Sequence, residues 1–236
     1  ATFNRNIKLI IGSEFKIDSH KVIVLVTNRN SYSKLSSLIT LARRRSKKGS
    51  YQIKWSDLKF NNDGLLIIWL PCGDFKKDQL IISQLHDWFE RRLWIGFHNL
   101  LNGTETSHLS YLQKLSLLWK VNVVACGDVH MHKKDRQPLQ DVLTAIKQKC
   151  SIMELGKSRY PNSERYLRKI EYLKNIYPEE LMRETINISN LCNFSLNELR
   201  YEYPIEVVPK NLTSKEYLSF LVHQGAKKRW PSRIPK

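Results

Sequence analysis

Asp128 and His130 stand one residue apart, D-x-H, just after the apolar run Val121 to Cys126 breaks at Gly127. In extended backbone alternate side chains point the same way. This carboxylate and imidazole can therefore converge on one cation, in the oxygen and nitrogen mixture that zinc, manganese or iron accept. Two ligands do not make a site, and the competing reading is that Asp128 caps the turn while His130 and His132 are surface histidines. A second carboxylate, Glu14, follows the apolar run Ile7 to Ile11 in the turn Gly12-Ser13-Glu14, where alone it reads as a solvated acid. His98, just past Leu93 to Phe97, is a weaker ligand candidate, His86 an ordinary amphipathic helix position, and His20 and His108 surface residues.

A different chemistry is electrostatic. Arg43, Arg44, Arg45, Lys47 and Lys48 crowd the carboxyl end of one helical pattern. The helix dipole would use roughly one or two such charges, which leaves the remainder for phosphate contact unless they are merely solvated. Lys227, Lys228 and Arg229, continued by Arg233 and Lys236 around Trp230, combine charge with a stacking surface as single-strand binders do; a frayed tail is the alternative.

Alternating elements must position these groups. Ile7 to Ile11, Val22 to Val26, Leu65 to Leu70, Leu93 to Phe97 and Val121 to Cys126 read as strands. The stretch from Ser31, with Tyr32, Leu35, Leu38, Ile39 and Ala42 inward, reads as a helix, as do Asp78 to Arg92 (Leu80, Ile81, Leu85, Trp88 and Phe89 inward), Ser107 to Trp119 and Gln137 to Lys147. Strands alternating with helices predict a parallel α/β arrangement, whose ligands gather at the carboxyl ends of strands. After Gly156 no strand pattern recurs. Asn162 to Asn175, Glu179 to Cys192 (Leu181, Thr185, Ile188 and Leu191 inward) and Ser214 to Arg229 read as helices, and the stretch ending at Pro204 is irregular.

Composition sets bounds. The chain has 236 residues, enough for one large domain or one domain with an appendage, and 42% hydrophobic residues imply a core. Lys and Arg number 39 against 22 acids, a net charge of +17, which favours a polyanion such as nucleic acid. No window approaches 18 uninterrupted apolar residues and ATFNRNIK lacks a signal-peptide core, so a soluble, cytoplasmic protein without a membrane partner is expected. Cys72, Cys126, Cys150 and Cys192 form no C-x-x-C pair, which argues against a zinc knuckle or disulfide scaffold. No G-x-G-x-x-G or G-x-x-x-x-G-K loop cradles a nucleotide.

Gly127 to Ile146, GDVHMHKKDRQPLQDVLTAI, closely resembles the segment that ends the PHP (polymerase and histidinol phosphatase) domain of bacterial C-family replicative polymerases. The likeness is to the DNA polymerase III alpha-like enzymes, and within them to the error-prone branch acting in damage-induced mutagenesis. It extends through LIIGSEF (Leu9 to Phe15), LITLARRRSKKGSY (Leu38 to Tyr51), CNFSLNELRYEYPIEVVP (Cys192 to Pro209) and EYLSFLVHQGAKKRWP (Glu216 to Pro231), in order along essentially the whole chain.

The resemblance implies an incomplete, distorted seven-stranded β/α barrel over 1–156 and a helical junction into the polymerase core over 157–236. It also implies a metal site holding zinc or manganese at the mouth, to which Glu14, Asp128 and His130 would contribute. The family's opening H-x-H strand and the acid and histidine that follow it are not found, and Ala1 to Lys8 resembles the helix tail that should precede Gly12. Weak metal binding and marginal stability are therefore expected. The glycine-serine motif and the aspartates that bind magnesium in the parent polymerase are also not found, so this stretch is expected not to polymerise DNA. The implied function is a fragment of an enzyme of translesion DNA synthesis whose partners are DNA, other polymerase regions and mutagenesis-complex subunits. A free-standing metal-dependent phosphoesterase and a non-catalytic basic DNA-binding module are the alternatives.

Overall fold

The structure is a computed structural model and describes residues 7–200 and 208–231. The chain divides into two compact units, Ala1–Glu198 and Leu199–Lys236.

The first unit is a five-stranded mixed sheet flanked by helices. Strands β1 (Gly12–Ile17), β2 (His20–Val26), β3 (Leu65–Leu70), β4 (Leu93–His98) and β5 (Val123–Cys126) lie side by side in chain order. β1 pairs with β2 and β2 with β3 antiparallel, whereas β3, β4 and β5 run parallel. This corrects the all-parallel expectation. Only Asp18 and Ser19 separate the paired residues Ile17 and His20, and so short a link permits only an antiparallel hairpin. Asp18 takes the positive φ of 53° that the turn needs.

The first strand also starts later than its apolar run. Ile7 and Leu9 are exposed, and the ladder begins at Gly12, where buried Phe15 and Ile17 alternate with Glu14 and Lys16. Period-two burial outweighs a run of isoleucines.

Helix α1 (Arg29–Arg44) starts at Asn28, whose side chain accepts the Ser31 amide at 2.9 Å while the Asn28 amide donates to Ser31 Oγ, also at 2.9 Å. Leu35, Leu38 and Ala42, at helical spacing, bury one face; Ile39 on the flank stays exposed. Helix α2 (Trp55–Phe60) was not foreseen, because one and a half turns carry no periodic signal. In α3 (Phe75–Phe89) the inward side is Ile81, Ile82, Leu85 and Phe89, and Leu80 faces outward. α4 (Glu105–Trp119) adds Leu112 and Leu115.

These helices cover one face of the sheet, packing on Val22, Val24, Ile67, Trp69, Ile95 and Phe97. Each such buried side chain contributes roughly 1.5–3 kcal/mol relative to exposure, so this face dominates stability.

The opposite face carries Leu66, Ile68, Trp94 and Val124. Beyond α5 (Gln137–Gln148), α6 is confined to Ile170–Ile176, so the helix expected from Asn162 begins eight residues late. α7 (Glu179–Leu191) places Ile188 and the following Cys192 on that second face, and Trp94 Nε1 donates to Glu184 Oε2 at 2.7 Å. Leu181 and Ile188 are buried as expected, but Leu191 is exposed.

The second unit contains α8 (Ser214–Arg229), opened by Thr213, whose hydroxyl accepts the Glu216 amide. Pro204 and its neighbours over 201–207, like 1–6 at the amino end, lie outside the described residues.

Candidate functional site

Asp128 follows β5 with a positive φ of 43°, a conformation Asp tolerates better than most residues, and this turns the chain over the end of the sheet. Its side chain is 8% exposed and is met by three nitrogen groups. Arg165 pairs with one carboxylate oxygen, and Lys21 Nζ (3.8 Å) and His130 Nε2 (3.3 Å) approach the other.

Lys21 sits on β2 opposite Leu70, the last residue of β3, on the face that also carries Ile23 and Leu25. Glu14 pairs with Ile23 and so shares that face; its Oε1 lies 3.2 Å from Lys21 Nζ. Glu14 is therefore within β1 rather than in a turn past a strand end. The structure pairs Asp128 with His130 and sets Glu14 across from them, with the Lys21 ammonium between the two carboxylates.

β2 and β5 are three ladder steps apart, about 14 Å if flat. The long Lys21 side chain, its Nζ 3.8 Å from Asp128 Oδ1, reaches across that span to the turn after β5.

The segment 160–168 completes the site. His130 and Met131 amides donate to Arg165 O at 2.8 and 3.1 Å, and the Leu167 amide donates to Met131 O at 2.9 Å. The Arg165 guanidinium lies 4.4 Å from the Tyr160 ring centre, and the Tyr160 hydroxyl is 3.3 Å from His130 Nε2. A cleft of about 400 Å³ opens beside His130, lined by exposed His132 with Arg136, Leu139 and Leu143.

Electrostatics follow from these neighbours. Burial, then the Lys21 charge, lowers the pKa of His130 against the pull of Glu14. His98, which ends β4 beside Cys126, is pushed down to about 3 by burial, then by Lys21 and Arg165, so its ring is neutral at ordinary pH.

One imidazole and two carboxylates are donor types that a divalent ion accepts, but among the described residues only His20, Cys72 and Asp78 bring three such ligand atoms within 4.8 Å of one another. The charges around Glu14, Asp128 and His130 do not fit one either, because both Asp128 oxygens and Glu14 already face the protein's own cations. The arrangement therefore supports no metal-dependent step. Lys21, Tyr160 and Arg165 were missed from sequence. Lys21 did leave a signal, as the one charge on a β2 face otherwise made of Ile23 and Leu25; Arg165 and Tyr160 left none.

His20, expected at the surface, is 3% exposed. With Cys72 and Asp78 it forms a group whose ligand atoms lie within 4.8 Å of one another. The Asp78 oxygens accept from the Cys72 and Gly73 amides at 3.0 Å and from Tyr111 at 2.6 Å, and His20 Nδ1 accepts from Trp69 Nε1 at 3.3 Å. With these lone pairs engaged, the knot fixes the β3–α3 turn.

The basic cluster is smaller than its sequence suggests. Arg45 pairs with buried Asp57, and Arg43 donates to Ser50 O at 3.1 Å and lies over the Tyr51 ring. Arg44, Lys47 and Lys48 are exposed, and among the described residues no side-chain partner holds them. In the second unit, Lys227, Lys228 and Arg229 end α8, and Arg229 lies 5.5 Å from the Trp230 ring centre. Arg233 and Lys236 lie outside the described residues.

No protein-family model matches the chain. Curated relatives do. An error-prone DNA polymerase of Saccharophagus degradans is 42% identical over 232 residues, covering 98% of this chain and 22% of the relative. One from Methylococcus capsulatus is 44% identical over 230 residues, and one from Pseudomonas savastanoi pv. phaseolicola 39% over 237. The chain is similar, along nearly its whole length, to about a fifth of an error-prone DNA polymerase. It spans 22% of the first relative's length. These relatives carry the name of the polymerase branch that the motifs resemble. Among the described residues, no helix is long and apolar enough to cross a membrane.

Proposed function

We propose that this chain is a segment of an error-prone, C-family DNA polymerase that contacts DNA through backbone phosphates and does not itself polymerise. The observation that carries this is identity of 39–44% to polymerases of that name along nearly the whole chain. In this proposal, residues 1–156 supply much of a PHP-type barrel and 157–236 lead into the polymerase core. The parallel strands β3, β4 and β5, joined by helical crossovers, support the barrel. The magnesium aspartates belong to the longer enzyme, whose work is translesion synthesis in the cytoplasm with mutagenesis-complex subunits as partners. Arg44, Lys47 and Lys48 are the favoured phosphate contacts on the first unit, and Lys227, Lys228 and Arg229 on the second.

The phosphoesterase alternative would use Glu14, Asp128 and His130, and the ion pairs around them weigh against it. Fluorescence anisotropy with labelled single- and double-stranded DNA, together with primer extension in magnesium, tests the proposal. Binding that weakens steeply between about 50 and 200 mM salt, without extension, supports it. Affinity indifferent to salt, or primer extension by this chain alone, contradicts it.

A further inference from the structure

Glu14 and the Asp128–His130 pair face one another across two cations already in place, and the arrangement is closed on itself. Lys21 Nζ lies 3.2 Å from Glu14 Oε1 and 3.8 Å from Asp128 Oδ1. The Arg165 guanidinium takes the second Asp128 oxygen. His130 Nε2 is shared between Asp128 Oδ1 and the Tyr160 hydroxyl, each at 3.3 Å. Two negative charges thus face two positive ones.

We infer that Lys21 and Arg165 hold the positions that metal ions would take, making this an internally neutralised centre that excludes divalent cations. The inference rests on reading Glu14, Asp128 and His130 as ligand positions of a PHP-type site. A divalent ion entering here would have to displace the Lys21 ammonium from between the carboxylates and would then stand beside Arg165 with no anion left to balance it. In exchange the site works as a latch. Arg165, tied to Asp128 by its side chain and to His130 and Met131 through its carbonyl, anchors the segment 160–168 over the end of β5. Lys21 ties that turn to β1 and β2.

The test is titration with Mn²⁺ and Zn²⁺ by calorimetry, with metal content after dialysis and melting temperature as parallel readouts. The wild-type chain should retain no stoichiometric metal, and its melting temperature should not respond to Mn²⁺. The double variant Lys21→Met/Arg165→Gln should bind Mn²⁺ at least about tenfold more tightly and be stabilised by it, and Asp128→Asn added to it should remove the gain. Lys21→Met alone, at a 40% exposed side chain, supplies the same comparison should the double variant misfold. Stoichiometric metal in the wild type that Asp128→Asn abolishes would overturn the exclusion while upholding the ligand reading. Folded variants that gain no affinity would overturn the ligand reading itself.

Discussion

Replacing His98 with Gln should flatten the acid side of the stability profile. The folded protein holds the His98 pKa down at about 3, against 6.5 for the free side chain. Between those values the unfolded chain takes up a proton that the folded protein refuses. The stabilisation is therefore complete above the unfolded value and is lost as pH falls. A protonation at 6.5 in the unfolded state alone costs about 1.4 kcal/mol between pH of about 7.5 and 5.5, and about 2.7 kcal/mol by about 4.5. His20, His108 and His130 are shifted in the same direction, so the wild-type profile should be steeper still. The difference between wild type and His98→Gln isolates the one ring. Urea denaturation followed by circular dichroism across that range measures it. Profiles that run parallel down to the acid end would refute the reasoning and mean that His98 is protonated in the folded state.

Removing Asp57 should cost stability, because its Oδ2 accepts the Lys54 amide at 2.8 Å at the start of α2 and pairs with Arg45. Asp57→Ala should lower unfolding free energy by roughly 2–3 kcal/mol in urea melts, and a loss below half of that would show the pair to be idle. Tyr177→Phe leaves the buried Asn99 amide (2.9 Å from the hydroxyl) without its acceptor and frees Cys126 O (2.6 Å). Unfolding should become easier by about 1–3 kcal/mol, with faster hydrogen exchange at Asn99 as the local signature.

What could be read from sequence was what local pattern specifies. β3 was placed to the residue because six apolar residues in succession are buried on both faces, and α8 has the bounds Ser214 to Arg229 expected from the resemblance, with Thr213 capping its start. Strand direction was not legible, since the β1–β2 turn hides in Asp18 and Ser19 behind a misleading isoleucine run. The D-x-H pair and Glu14 stood out by residue type, and the Lys21 ammonium lies between them. Their partners did not stand out, because Lys21 and Arg165 are separated by 144 positions and come to share Asp128 only when the strands assemble and the segment 160–168 folds back. The Arg43 to Lys48 cluster shows the converse. Charge counting cannot tell that Arg45 is occupied by Asp57 and Arg43 by Ser50 and Tyr51, so five candidates reduce to three.

That reduction supplies the most direct test of the central claim, that this polymerase-like segment holds DNA by its phosphates. The measurement is the slope of log affinity against log salt for single-stranded DNA, compared between wild type and the triple variant Arg44→Ala/Lys47→Ala/Lys48→Ala. Each lost phosphate contact should reduce the slope by about 0.7, so the variant's slope should be shallower by about 2. Parallel slopes at equal affinity would show that these residues do not touch the backbone, and a wild-type slope near zero would contradict phosphate-mediated binding altogether.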